Sequence, residues 1–487
     1  QRLSINGTEV LNRAPAPTEF FRTSYLAHYH DFWLPGQDYY DTFVTPRFES
    51  LRFPAAVTGG RLLVSWSNLP VAALVVAPRA LRDGLAVELE RLAASRRRAT
   101  PVEAVPGPAE EAGLEPSAAE STQGFVVFRR PPNESIYPSS RPQAGERLEA
   151  LRCFATPGER EPVHLSLWPL RDLGDVRVGA ADFVSAAGRI PAAAVDVRVV
   201  RQVFKREGRG TGSYRYRVSP YFLDRREAVP VTAGTTWSWW ATVEVPEATP
   251  AGTYEGALEI TTAAGAAVRV PWSLRVLPFR LAPLPIVQGY YYFPGEPWYS
   301  TFWGANVRGS RYRDDPEIRA MIDQNERRAL RFMASLGLNS VAFGDDLRGD
   351  LELRDGEVSL KPDNRLALWM DLYRDAGMGP MPFYGFQPIG AGNNLSWLDR
   401  TGLAEPFTPA WTRAYRSLVE SCQRQGRERG WPEILWYISD ELSNHGEPGA
   451  QKGVALARAL AGLAGARVIA SMNGAWEHIM VPHLTLA

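Results

Sequence analysis

The chain has 487 residues, of which 45% are hydrophobic, and this length predicts two or three domains with sizeable cores. Its 54 basic residues balance its 54 acidic residues, so the charge predicts neither nucleic acid nor an anionic membrane surface as a partner. No apolar run reaches the ~18 residues that a membrane-spanning helix needs, and the two cysteines fall in different predicted domains, which indicates free thiols.

Residues 1–145 are predicted to form an N-terminal β-rich module, for which a jelly roll is one compatible fold. Short strand-like runs occur at Leu62–Trp66 and Ala72–Val76, and a turn signal with a proline separates them. Residues 95–145 are rich in Pro, Ala, Glu, Arg and Ser, a composition typical of a long excursion or linker. We therefore expect the first domain to end at residue 145.

Residues 146–282 are predicted to form a β-sandwich domain. His164–Leu170 and Trp240–Val245 follow a period of two, as half-buried strands do. Pro250–Gly256 has the composition of a tight turn and leads into a further strand. Several short strands separated by turns at regular spacing favour two packed antiparallel sheets.

After a cluster of prolines within residues 278–285, strand and helix patterns alternate. The predicted strands are Ile286–Tyr292, Asn339–Phe343, Gly379–Tyr384, Ile434–Ser439 and Ala466–Met472, and the predicted helices are Asp315–Leu336, Arg365–Ala376, Pro409–Arg429 and Gly449–Leu463. This alternation predicts a parallel sheet, and residues 283–487 are expected to be a catalytic (β/α)8 TIM-type barrel. Five strands, with a sixth pattern at Ile479–Leu484, fall short of eight, so we expect the C-terminal strands to be missing from this chain.

Within the predicted strand Ile434–Ser439, the apolar run Ile434–Ile438 leads toward two adjacent carboxylates, Asp440 and Glu441. A hydrophobic strand that delivers two acids is typical of an active site at the end of a buried strand. Paired carboxylates are the usual equipment of glycoside hydrolysis. Adjacent strand residues point to opposite faces, so both acids can reach one cleft only where the strand turns into its loop.

A sequential pair of acids suits a substrate-assisted mechanism. In this interpretation Glu441 protonates the leaving oxygen, while Asp440 holds the 2-acetamido group of the sugar. The acetamide oxygen attacks the anomeric carbon and forms an oxazolinium ion, so the enzyme supplies no nucleophile.

Polar and aromatic side chains near the other strand ends are candidates for sugar binding. Trp476 could stack on a sugar ring, and ordinary packing is the alternative; Asp345 could bind hydroxyls or cap a loop. The predicted substrate-binding residues are Tyr292, Asp345, Tyr384, His445, Asn473 and Trp476. The sequence predicts no metal site and no cofactor.

Three groups of residues resemble glycoside hydrolase family 123 and its relatives, the β-N-acetylgalactosaminidases. They are Gly158–Val163 with Leu167–Leu173, Val243–Pro246 with Pro250–Gly256, and Ser439-Asp440-Glu441. The resemblance covers about residues 145–487 and implies removal of terminal β-linked N-acetylgalactosamine by the substrate-assisted route, without a metal. It implies that Asp440 orients the acetamide and that Glu441 is the general acid/base. Many relatives have a proline after the dyad, where this chain has Leu442.

Two alternatives stay open. The first is an ordinary retaining glycosidase with Glu441 as acid and a nucleophile beyond residue 487. The second is an inactive carbohydrate-binding or cell-surface structural protein. In the leading interpretation the partner is a glycan with terminal β-linked N-acetylgalactosamine. The chain starts at Gln1 rather than Met, so any export signal would already be gone. We expect a secreted, periplasmic or cell-surface location.

Overall fold

The structure is a computed structural model. It describes residues 1–487 except 17, 20–32, 46–47, 70, 100–102, 106, 109, 208–214, 283–285, 292–315, 343–346, 384–406, 439–440, 442–444, 472–473 and 486–487. The chain divides into two compact units, and each is described by itself. Unit 1 comprises Gln1–Ala14 and Tyr29–Ala282, and unit 2 comprises Pro15–His28 and Pro283–Ala487.

Unit 1 is mostly β structure. Its helices are α1 (Arg82–Ala99) and α2 (Ala118–Gln123). Its strands are β1 (Arg2–Ile5), β2 (Thr8–Asn12), β3 (Val64–Ser67), β4 (Glu103–Val105), β5 (Phe125–Phe128), β6 (Leu151–Ala155), β7 (Arg160–Pro169), β8 (Gly174–Ala180), β9 (Phe183–Ser185), β10 (Gly188–Ile190), β11 (Val195–Arg206), β12 (Arg215–Asp224), β13 (Val229–Val231), β14 (Trp237–Glu244), β15 (Gly252–Thr262) and β16 (Ala267–Val276).

The first three strands form a small antiparallel sheet in the order β2-β1-β3. The strand predicted at Ala72–Val76 is wrong, because these residues are irregular. Leu74 and Val76 are 59% and 62% exposed, so this apolar run buries no face against a partner strand. The 18-residue helix α1 follows it and was not predicted.

Two larger sheets enclose the main core of unit 1. One has the order β4-β12-β11-β14-β7-β5, and the other has the order β10-β9-β15-β16-β6, with β8 on β15 and β13 on β8. Trp237 and Leu165 from the first sheet share one buried cluster with Trp272 and Tyr254 from the second. The period-two patterns of the sequence therefore place one face of each sheet in a common core.

Residues 95–145 contain regular secondary structure, although the sequence predicted a linker there. Strand β5 is buried throughout and pairs with β7, so this sheet crosses the predicted boundary at residue 145. Arg130 is only 7% exposed and forms ion pairs with Glu110 and Glu146. The composition suggested a solvated segment because charged residues are usually exposed, whereas here opposite charges are buried as partners.

Unit 2 alternates strands and helices. Its strands are β17 (Gly289–Tyr291), β18 (Ser340–Ala342), β19 (Leu351–Arg354), β20 (Glu357–Leu360), β21 (Met381–Phe383), β22 (Ile434–Tyr437) and β23 (Arg467–Ile469). Its helices are α3 (Pro316–Ser335), α4 (Arg365–Asp375), α5 (Pro409–Arg429), α6 (Gly446–Leu460) and α7 (Glu477–Met480). The predicted elements from residue 286 to residue 472 all have counterparts whose ends agree within three residues.

Five of these strands are parallel. Strand β17 pairs with β18, and β21, β22 and β23 form a second sheet in that order. The Gly379 N–H donates to Asn339 O at 2.7 Å and the Ser340 hydroxyl to Pro380 O at 2.8 Å, so β18 lies beside the approach to β21. Strands β19 and β20 form an antiparallel hairpin.

The expected multidomain, β-rich organisation is confirmed, but an eight-stranded barrel is not. Among the residues that the structure describes, unit 2 has the five parallel strands named above. The sixth strand pattern at Ile479–Leu484 is wrong, because Glu477–Met480 is helical and Val481–His483 is a 3-10 turn. Pro482 favours this outcome, since proline has no N–H to donate to a neighbouring strand.

Candidate active site

Strand β22 precedes the predicted dyad in the chain and is the central strand of its sheet. It pairs in parallel with β21 on one side and β23 on the other, and all four of its residues are buried. The Ile438 N–H donates to Ile469 O at 2.9 Å, which extends the pairing one residue further. Burial of Trp436 and Ile438 contributes about 1.5–3 kcal/mol each to the anchoring of this strand. The chain is therefore fixed as far as Ile438.

Helix α5 delivers the chain to the start of β22. Its first turn is capped by Thr408, whose hydroxyl accepts from Trp411 N–H at 3.3 Å, and Pro409 occupies the first helical position. Gly430 ends the helix with a φ of +66°, a conformation that glycine adopts at low cost. Trp411 and Tyr415 of this helix are buried in the same cluster as Trp436.

Glu441 lies beyond the carboxyl end of β22 and has an unusual backbone conformation. Its φ is +51°, in the left-handed region, which costs a residue other than glycine roughly 1–2 kcal/mol. The chain has therefore left the strand conformation at Glu441. Two adjacent acids can reach the same cleft only under this condition, because adjacent residues of a strand point to opposite faces. The Glu441 residue is exposed, which leaves its carboxylate accessible to a ligand.

The backbone of Glu441 is held by the neighbouring strand. Its N–H donates to the Ser471 hydroxyl oxygen at 2.7 Å. Ser471 lies two residues after β23, so this hydrogen bond joins the ends of two adjacent parallel strands. Ser471 was not among the predicted site residues, because a contact between residues 30 positions apart leaves no local pattern.

Two other predicted site residues lie in the described part of the chain. Trp476 precedes α7, is half-buried, and packs against a small cluster of Ala450, Val454 and Met480. Its ring centroid lies 6.2 Å from that of His478. His445 precedes α6 and is exposed. Packing thus accounts for part of the Trp476 ring, and its role in stacking on a sugar stays a prediction.

The remaining predicted site residues fall outside the described residues. They are Tyr292, Asp345, Tyr384, Asp440 and Asn473. Their roles stay predictions.

Within the described residues, no group of three or more His, Cys, Asp and Glu side chains could hold a metal ion. Cys153 and Cys422 are free thiols, as expected. Burial raises the pKa of the Cys153 thiol to about 11 and also raises that of Cys422, so both thiols stay protonated near neutral pH. No described helix has the length and apolar character to cross a membrane.

Comparison with protein families gives the decisive observation for unit 1. Residues 134–262 match the sequence profile of the Glycoside hydrolase 123 N-terminal domain. This segment is therefore similar to the N-terminal domain of glycoside hydrolase family 123. The matched segment includes both groups of sandwich residues on which the resemblance to family 123 was based, and that resemblance is confirmed.

Solved structures extend the likeness beyond this segment. A family 123 glycoside hydrolase from Clostridium perfringens, described for glycolipid glycan hydrolysis, superimposes with a TM-score of 0.55 at 13% sequence identity. The match covers 74% of this chain and 66% of that structure, slightly less than two thirds of its length. At this identity the likeness shows the fold alone.

A more distant structure adds nothing to the assignment. The match to a Bacteroides ovatus GH5 xyloglucanase covers 69% of this chain and 67% of that one, at 11% identity, but its TM-score of 0.21 carries no argument. Among curated protein sequences, none matches this chain.

Proposed function

We propose that this family 123 protein is a glycoside hydrolase that removes terminal β-linked N-acetylgalactosamine from glycans. The observation that carries the proposal is the exposed Glu441 beyond the central strand of a parallel sheet, in a chain with a family 123 N-terminal domain. The carboxyl ends of parallel strands are where (β/α) barrels build their active sites. Glycans of glycolipids are the proposed substrate class, by analogy with the C. perfringens enzyme.

In the proposed first step, the substrate supplies its own nucleophile. The acetamide carbonyl oxygen attacks the anomeric carbon while the bond to the leaving oxygen breaks. Glu441 donates its proton to that oxygen, and the sugar becomes an oxazolinium ion. Asp440 accepts a hydrogen bond from the acetamide N–H, and its negative charge stabilises the positive charge that develops on the ring.

In the second step Glu441 acts as the base. Its carboxylate takes a proton from water, the oxygen of this water bonds to the anomeric carbon, and the bond to the acetamide oxygen breaks. Glu441 is then protonated again, and the product has retained its anomeric configuration. An exposed carboxylate on a fixed backbone suits both roles, because water and substrate must reach the same oxygen atoms.

The surroundings of the dyad are part of the proposal. We place Tyr292, Asp345, Tyr384, His445, Asn473 and Trp476 around the sugar as hydroxyl-binding or stacking residues. We also propose that the five parallel strands belong to a (β/α)8-type barrel. The order of strands and intervening helices supports this, since each parallel strand is followed by a helix before the next.

A panel of 4-nitrophenyl β-glycosides tests the proposed function. The N-acetylgalactosaminide should be hydrolysed, while the galactoside without the 2-acetamido group should be hydrolysed at least about 100-fold more slowly, since it carries no internal nucleophile. Equal hydrolysis of both glycosides would instead support an ordinary retaining glycosidase. Binding of the sugar without turnover would support an inactive carbohydrate-binding protein.

A further inference from the structure

We propose that Ser471 is a positioning residue, which sets the direction of the Glu441 carboxylate and so supports proton donation to the leaving group. This inference rests on the proposed function. The observation behind it is the hydrogen bond from Glu441 N–H to the Ser471 hydroxyl oxygen at 2.7 Å. The bond therefore joins a residue that follows β23 to an acid that follows β22.

The backbone of Glu441 needs such an anchor. Its φ of +51° lies in a region that residues with a side chain rarely adopt without support from their surroundings. A turn into the ordinary right-handed or extended region would swing the carboxylate away from its present direction. A hydrogen bond to the N–H of the same residue opposes that turn directly.

The anchor is itself well fixed. Strand β23 pairs with β22 from Leu435–Arg467 to Tyr437–Ile469. On the other side of β23, Val468 N–H donates to the Thr485 hydroxyl and Thr485 N–H donates to Val468 O, each at 2.9 Å. Ser471 therefore follows a strand that is held on both edges, and it transfers this rigidity to Glu441.

The expected effect of Ser471 on proton donation follows from its contact with the backbone of Glu441. Its hydroxyl oxygen accepts from the backbone of Glu441 and acts through it. General acid help matters most when the leaving oxygen is a poor leaving group, because a good leaving group departs with little protonation. Loss of the Ser471 hydroxyl should therefore slow hydrolysis most for substrates whose leaving group needs protonation.

The test compares Ser471→Ala, Ser471→Thr and Ser417→Ala in the full chain. Ser417 is the matched control, because its hydroxyl accepts from Val358 N–H at 2.8 Å in the same kind of bond, on helix α5. Ser471→Ala should lower kcat about 10-fold on an alkyl β-N-acetylgalactosaminide and less than about 2-fold on the 2,4-dinitrophenyl glycoside, with KM little changed. Ser471→Thr keeps the hydroxyl and should recover most of the loss, and Ser417→Ala should slow neither substrate.

A second measurement does not depend on activity. Hydrogen exchange resolved at the Glu441 amide should be about 3- to 10-fold faster in Ser471→Ala and unchanged in Ser471→Thr and Ser417→Ala. An unchanged exchange rate in Ser471→Ala would overturn the anchor. Equal losses of kcat on both substrates would overturn its role in proton donation. If the wild type hydrolysed no N-acetylgalactosaminide, the proposed function would fail, while the exchange measurement would still decide on the anchor.

Discussion

The guanidinium of Arg130 forms an ion pair with Glu110 at 2.6 Å and a second with Glu146 at 2.8 Å, with only 7% of the arginine side chain exposed. This network lies in unit 1, and both Arg130 and Glu110 fall in the segment whose composition suggested a linker. Burial of charge is tolerated here because each group has a charged partner and further hydrogen bonds, including one from Arg130 to Arg141 O.

The network predicts acid sensitivity of unit 1. Burial raises the pKa of the Glu110 carboxyl, but hydrogen bonds from Arg130, the Arg141 N–H and Ser140 outweigh it and leave the pKa below its usual value. A lowered folded-state pKa means that this carboxyl stabilises the fold fully above its unfolded pKa of ~4.3, and less as the pH falls through the folded value. Glu110→Gln should lower the free energy of unfolding at pH 7 by about 1–3 kcal/mol and weaken its fall between pH 5 and pH 3.

Urea unfolding at several pH values measures this effect. Glu111→Gln is the control, since Glu111 is the exposed neighbour of Glu110. The control should follow the wild type throughout. A Glu110→Gln protein with the stability and pH profile of the wild type would show that the ion pair contributes nothing.

A glycine at the core of the sandwich predicts a second effect on stability. A Cβ atom at Gly256 of β15 would lie 2.7 Å from the ring of Phe183, which is fully buried. Gly256→Ala should therefore destabilise the protein by about 1–3 kcal/mol, as overpacking does. Gly179→Ala in β8 is the matched control, because its Cβ would meet no atom within 4 Å. Thermal unfolding should show a lower Tm for Gly256→Ala alone, and equal Tm values would contradict the packing described.

The alternating elements of unit 2 could be predicted because they depend on local signals. Helix α5 agrees with its prediction at both ends, since a capping threonine, a proline at the first position and a terminal glycine mark it in the sequence. The strand predicted at Ile479–Leu484 failed because its apolar residues fit a strand or a helix. Pro482 disfavours a paired strand, and Met480 packs against Ala450 and Val454 as a helical residue.

Contacts between distant residues account for what the sequence could not predict. Strand β5 and Arg130 both lie in the predicted linker. Strand β5 pairs with β7, and Arg130 forms ion pairs with Glu110 and Glu146, which are distant from it in the sequence. In the candidate site, the apolar strand and its acids were visible, but the conformation of Glu441 and its bond to Ser471 were not. Both depend on how β23 lies beside β22, which no local pattern reports.

The proposed division of roles predicts a distinct defect for Asp440. Asp440→Asn should lose the acceptor for the acetamide N–H and the charge that stabilises the oxazolinium ion. The resulting loss of activity should persist whatever the leaving group of the substrate, because it affects the nucleophilic step. A thiazoline mimic of that ion should inhibit the wild type and bind Asp440→Asn at least about 10-fold more weakly. Asp363→Asn, a change at an exposed aspartate of unit 2, is the control and should bind the mimic like the wild type. Equal affinity in all three proteins, measured by calorimetry, would remove Asp440 from the mechanism.

The most direct test of the account is the leaving-group dependence of Glu441→Gln, measured as kcat/KM on alkyl, 4-nitrophenyl and 2,4-dinitrophenyl β-N-acetylgalactosaminides. Glu428→Gln, the same change at an exposed residue near the end of α5, serves as the control and should match the wild type on all three. If Glu441 is the general acid, Glu441→Gln should lose about 10²–10⁴-fold in kcat/KM on the alkyl glycoside and less than about 10-fold on the dinitrophenyl glycoside. A loss of equal size on all three substrates, or none, would show that Glu441 is not the general acid.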